Sequence, residues 1–100
     1  MTGDKLRGAL GLCRRAGKVT VGITLVKEQS HKEKAALVLL AADAAKNTED
    51  RILPLAEHKA VPVRRISLDK KELAAAVGKS TEAVCVSVPK EFVNLVLASL

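Results

Sequence analysis

Few side chains in this 100-residue sequence are of the types that run catalysis. The two histidines, His31 and His58, are the natural general bases. Each stands beside lysine or glutamate in a polar helical stretch, the setting of a solvated imidazole rather than of a poised base. Cys13 has Arg14 and Arg15 as neighbours, and cations of that kind lower a thiol pKa, but it falls in an apolar helical stripe and reads as an inert core thiol. Cys85 lies 72 residues further on. That spacing makes neither a redox pair nor a zinc set, so both cysteines are expected to be buried, reduced thiols. Phosphate-cradling loops are missing too: neither G-x-G-x-x-G nor the P-loop pattern occurs, and Gly8 and Gly11 fall inside the first helix. The expectation is a protein that is not an enzyme and needs no metal and no cofactor.

Charge is the chemistry that remains. Of the net +6, residues 1–35 supply all but one unit, with Lys5, Arg7, Arg14, Arg15, Lys18, Lys27, Lys32 and Lys34 set against Asp4, Glu28 and Glu33. A segregated excess of this kind builds a local positive potential and points to a polyanion, nucleic acid first. Phe92 is the only aromatic residue. Stacking platforms for single strands, as in RRM sheets and OB folds, are therefore excluded, and any RNA bound here must be read otherwise.

The elements that must position these cations follow from hydrophobic periodicity. Leu6, Ala9, Leu10, Cys13 and Ala16 recur at three- and four-residue steps and predict a helix over residues 4–16, stopped by Gly17, with Arg7 and Arg14 on one face. A short extended piece, Lys18 to Val21, leads to Gly22 and a second helix from Ile23, exposed over Lys27 to Lys34. Ala35 to Ala42 is a continuous apolar run with the character of a central strand. A third helix follows Asp43 and runs to about Lys59, with Pro54 forcing either a restart or a kink. Val61 to Ile66 reads as a strand that Pro62 confines to an edge or a leading end. Asp69 and Glu72 begin a short helix ended by Gly78. Ala83 to Val88 is a further strand, and Pro89 occupies the first turn of a last helix striped by Phe92, Leu95, Val96 and Ser99 or Leu100. Alternating helices and strands without repeats or linkers predict one α/β domain over residues 1–100, its sheet covered on both faces. No apolar signal core stands at the N-terminus, and no stretch reaches the roughly 18 apolar residues of a membrane span, so a cytoplasmic protein without a membrane partner is expected.

The succession Leu10-Gly11-Leu12, Arg14-Arg15-Ala16-Gly17-Lys18, Val21-Gly22, Ala36 to Ala41, Asp43 and Asn47-Thr48 resembles the ribosomal protein L-seven-Ae family of kink-turn RNA binders, in particular its short bacterial YlxQ-like branch. The likeness continues through Val61-Pro62-Val63, Leu73, Val77-Gly78-Lys79 and Val84 to Val88. It implies a three-layer α/β/α sandwich around a mixed sheet of about four strands. It also implies an RNA surface from Gly17, Lys18, Gly22, Ile23, Thr24, Lys27, the region after Asp43 and the Gly78 to Ala83 loop; Arg14, Arg15 and Lys79 join it from the basic segment and that loop. A glycine at a helix N-terminus lets RNA approach, and the free N–H groups face its anionic edge.

Departures accompany the likeness. Where kink-turn binders place Asn-Glu or Lys-Gln to bond guanine edges in sheared G·A pairs, this chain has Thr24 and Leu25. Glu28 stands where the family pattern has lysine, and Lys27 comes one residue earlier, about 100° round a helix. The expected partner is structured RNA, such as ribosomal RNA or a kink-turn, bound by a monomer associated with the ribosome or translation. The alternative is a protein-interaction module that has lost kink-turn specificity and docks a hydrophobic partner on Ile23 and Leu25.

Overall fold

In the computed structural model, which describes residues 2–100, the chain opens with helix α1 (Thr2–Arg15). The predicted spacing delivers Leu6, Ala9, Leu10 and Cys13 into the core. Gly17 ends the helix at φ 69°, with its N–H donating to the Arg14 carbonyl and the Lys18 N–H to that of Cys13, both at 2.9 Å. This bond pair is how a left-handed glycine satisfies the last carbonyls of a helix.

Strand β1 (Thr20–Val21) and helix α2 (Ile23–His31) follow. α2 stops short of the expected Lys34 because Glu33 turns to φ 60° and closes the same pair of bonds, to Ser30 and Gln29. Its second half is also less exposed than expected, since Ser30 is buried and bonds the Val26 carbonyl. The apolar run condenses into β2 (Leu37–Leu40), every residue of it buried. Next come α3 (Lys46–Ile52) and α4 (Pro54–His58), so Pro54 acts as a restart: at the first helical position its missing N–H costs nothing. β3 (Val63–Arg65) lies at the sheet edge, as Pro62 requires, and α5 (Lys70–Ala76) starts with the Asp69–Glu72 capping box. β4 (Cys85–Val88) leads to α6 (Lys90–Ala98), with Pro89 as its N-cap rather than inside the first turn. The expected stripe on α6 holds at Phe92, Val96 and Ser99 and departs at Leu95. Val96 is buried and Phe92 and Val93 pack on the core, but Leu95 is 38% exposed, because a residue next to Val96 stands about 100° round the helix.

The sheet order is β1-β4-β2-β3, with β2 and β3 parallel and the other pairs antiparallel. This is the expected mixed sheet of a three-layer α/β/α sandwich. α1 packs with α5 and α6, and α2 with α3, which leaves β2 and β4 covered on both faces and accounts for their unbroken apolar character. Register sorts the loops. Leu40 opposite Cys85 and Val21 opposite Val86 put Gly22, the loop before Cys85 and the Ala41–Ala45 loop at one end of the sheet. Lys18, Ala36 and Pro89 lie at the other end, about 13 Å away at 3.3 Å per residue.

Candidate nucleic-acid interface

At the first of these ends, Gly22 sits at φ 96°, a conformation that side chains avoid. Its N–H donates to the Cys85 carbonyl at 3.0 Å, and its own carbonyl accepts from Val26 at 2.9 Å, starting α2. No side chain caps this helix, so the N–H groups of its first turn point outward unbonded. A Cβ built on Gly22 would meet no atom within 4 Å, which leaves the ground before the helix open. The arrangement suits an anion drawn by the helix dipole.

Beside it runs a groove of about 370 Å³ along the free edge of β1, floored by Val19, Val21, Leu25 and Val77. Arg14 and Lys79 stand on its rim, and neither pairs with an acid among the described residues. Arg14 is seated on Gly78. At φ 75° that glycine closes α5, and a Cβ there would overlap Nε and Cζ of the guanidinium and approach its Cδ to 2.9 Å. Leu25 is 52% exposed and presents an aliphatic surface to the groove.

The remaining residues singled out from the sequence are dispersed. Thr24 and Lys27 face a separate hollow of about 440 Å³ with Glu28, His31 and Arg51. There Lys32 donates to Glu28 at 2.9 Å, and that hydrogen bond, with the ammonium charge, holds the Glu28 carboxyl below its ordinary value. Ile23 packs partly against the core. Gly17 borders the β1 groove, whereas Lys18 turns toward the far end of the sheet. Arg15 lines none of these hollows; its guanidinium lies over Gly11.

The region after Asp43 is held by a residue that no local pattern singles out. Arg65 donates to the carbonyls of Ala41, Ala42 and Ala44 at 3.0–3.2 Å and pairs with Glu49, while Asp43 accepts from the Lys70 N–H at 2.9 Å. An arginine on an edge strand reads as surface charge, and only the fold shows which carbonyls it reaches.

Acid–base and nucleophilic chemistry find little here. His31 and His58 are exposed. Burial pushes the Cys13 thiol up and that of Cys85 up to about 11, so at neutral pH both are protonated and unreactive. Among the described residues no three His, Cys, Asp or Glu side chains gather as a metal site would need, and no helix is long and apolar enough to cross a membrane.

Comparison with known proteins gives these features a context. The chain is 30% identical over 100 residues to RNA-binding protein YlxQ of Bacillus subtilis (strain 168), covering 100% of this chain and 99% of that one. It is 31% identical over 76 residues to RNA-binding protein YlxQ of Enterococcus faecium, covering 76% and 73% of the two chains. Among solved structures it resembles a protein of unknown function from Bacillus halodurans, with a TM-score of 0.85, 26% identity and 94% of each chain covered. It shares its fold with the Giardia lamblia 15.5kD RNA binding protein, with a TM-score of 0.79, 24% identity, and coverage of 98% of this chain and 83% of that one. The profile of the ribosomal protein L7Ae/L30e/S12e/Gadd45 family matches residues 4–96, and with a relative alignable from end to end, this chain belongs to that family.

Proposed function

We propose that this protein binds structured RNA as a single-domain monomer, in the cytoplasm and in association with the ribosome or translation, without catalysing a reaction and without a cofactor. The observation that carries the reading is the meeting, at one sheet edge, of the uncapped α2 terminus at Gly22 with Arg14 and Lys79, two cations unengaged by any acid among the described residues. Relatives named RNA-binding proteins and the ribosomal members of the family support it. Phosphate contacts fix position and base contacts fix sequence. Here the phosphate-attracting groups are present, while Thr24 and Leu25 stand in the base-reading positions, so shape and backbone dominate over sheared guanine edges.

The test is equilibrium binding of a hairpin RNA with a kink-turn internal loop, against the same hairpin with its G·A pairs replaced by Watson–Crick pairs, across a salt series. Neutralising about four phosphates gives a slope of log K against log salt near −3 to −4. An affinity that hardly moves between low and moderate salt overturns the proposal. The half-exposed Leu25 favours a second reading, a hydrophobic protein partner at the same groove. A partner that survives ribonuclease and is lost on Leu25→Asp would establish it in place of the first.

A further inference from the structure

The far end of the sheet holds a groove that the RNA reading does not use, of about 460 Å³, between the start of α6 and the end of α2. Pro89 caps α6 through no side-chain bond and brings no N–H of its own. The Phe92 N–H turns back to the Pro89 carbonyl, which leaves the N–H groups of Lys90 and Glu91 as open donors where those residues line the groove.

A second feature points to a ligand independently. Three serines are buried, and two satisfy themselves: Ser30 donates to Val26 and Ser99 to Leu95, each at 2.8 Å. Ser87 cannot use that device, since a strand has no carbonyl one turn behind it. It is 2% exposed, has no side-chain hydrogen bond among the described residues, and meets the groove floor beside its register partner Thr20. With no protein partner among the described residues and no sealed polar atom left unsatisfied, the hydroxyl of this 2%-exposed serine opens onto the groove, and beside an uncapped helix terminus it suits an anion's oxygen atoms.

The rim adds Lys18, Lys34 and Lys90, none of which is in an ion pair among the described residues, whereas Lys32, Lys46 and Lys70 are each paired. Two carboxylates oppose them, Glu33 and Glu91, so the rim is positive by one charge. The groove is continuous with the first: Gly17, Thr20 and Gln29 border both.

We infer that the start of α6 is a second phosphate site, formed by the Lys90 and Glu91 N–H groups, the Ser87 hydroxyl and the three lysines, and that it holds the backbone of the RNA strand running along the β1 edge from the Gly22 end. The inference rests on the RNA reading. Continuity with the first groove selects a strand over a free phosphate as occupant.

The test is amide NMR of the full chain at low salt, titrated in separate arms with the kink-turn hairpin RNA and with inorganic phosphate. The hairpin should shift the amides of Lys90 and Glu91 together with those of Gly22 and Gly78. Lys34→Glu with Lys90→Glu, both at exposed positions, should reduce the magnitude of the salt slope by about two. The Gly22 response should persist in that variant. Ser87→Ala should weaken the response at Lys90 and Glu91 without altering net charge, and Glu33→Gly should strengthen binding by removing an opposing carboxylate. If the RNA moves Gly22 and Gly78 but leaves Lys90 and Glu91 in place, the second site is refuted as an RNA contact. Phosphate shifting those two amides in that case would make it a free-anion site instead. If the RNA moves none of the four, the RNA reading fails with it.

Discussion

A methyl group at Gly78 fits only if the Arg14 side chain moves away. The left-handed backbone there costs an alanine about 1–2 kcal/mol, and the same methyl would occupy the seat of the Arg14 guanidinium. Arg14 is exposed, so its displacement into solvent adds little to the loss of stability. Gly78→Ala should therefore lower the unfolding free energy by about 1–2 kcal/mol, with a fall in Tm of roughly 4–8 °C per kcal/mol for a domain of this size. Binding should respond differently. Losing Arg14 from the rim removes one phosphate contact and reduces the magnitude of the salt slope by about one. Arg14→Ala should show the same loss, and Gly78→Ala added to it should weaken RNA binding no further, while the backbone cost to stability persists in both backgrounds. Gly78→Asn separates the two effects, since asparagine tolerates the left-handed backbone but still carries the displacing Cβ. Fluorescence anisotropy with labelled RNA and thermal unfolding read the two quantities. Equal further weakening by Gly78→Ala with and without Arg14, or no weakening in either, would refute the seat.

Two other expectations follow from individual side chains. Arg65→Ala strips the Ala41–Ala45 loop of charge-assisted bonds to three carbonyls and should cost about 1–3 kcal/mol in denaturant unfolding with an unchanged m-value; a change below 0.5 kcal/mol, the scatter of ordinary surface substitutions, would show that the loop holds itself. Cys85, with its folded pKa raised to about 11 by burial, favours the folded state fully below the unfolded thiol value near 9 and progressively loses that contribution as pH rises through 11. Unfolding compared at pH 7 and pH 10.5 should show a steeper alkaline loss for the native chain than for Cys85→Ala, and parallel losses would contradict the burial effect.

Much of the architecture was legible because it is local. The three- and four-residue recurrence in α1, the Asp69–Glu72 box, Pro54 and the glycines at 17 and 78 act within a turn or two of chain, and the structure realises each of them. Element ends were less legible. Glu33 adopts a conformation that composition does not advertise, and Leu95 belongs to the apolar pattern of α6 while facing solvent.

The candidate site divides along the same line. Sequence determined that positive charge is concentrated in the first third, that aromatic stacking is excluded, and that a helix starts after Gly22, since each depends on residue type and local pattern. Only the tertiary structure decided which cations share a surface. It set Arg14 on Gly78, 64 positions away, and turned Lys18 toward Ser87 and α6, away from the Gly22 end. It also gave Arg65 to the loop after β2. Strand order and register bring such residues together across long stretches of chain, and no local pattern encodes them.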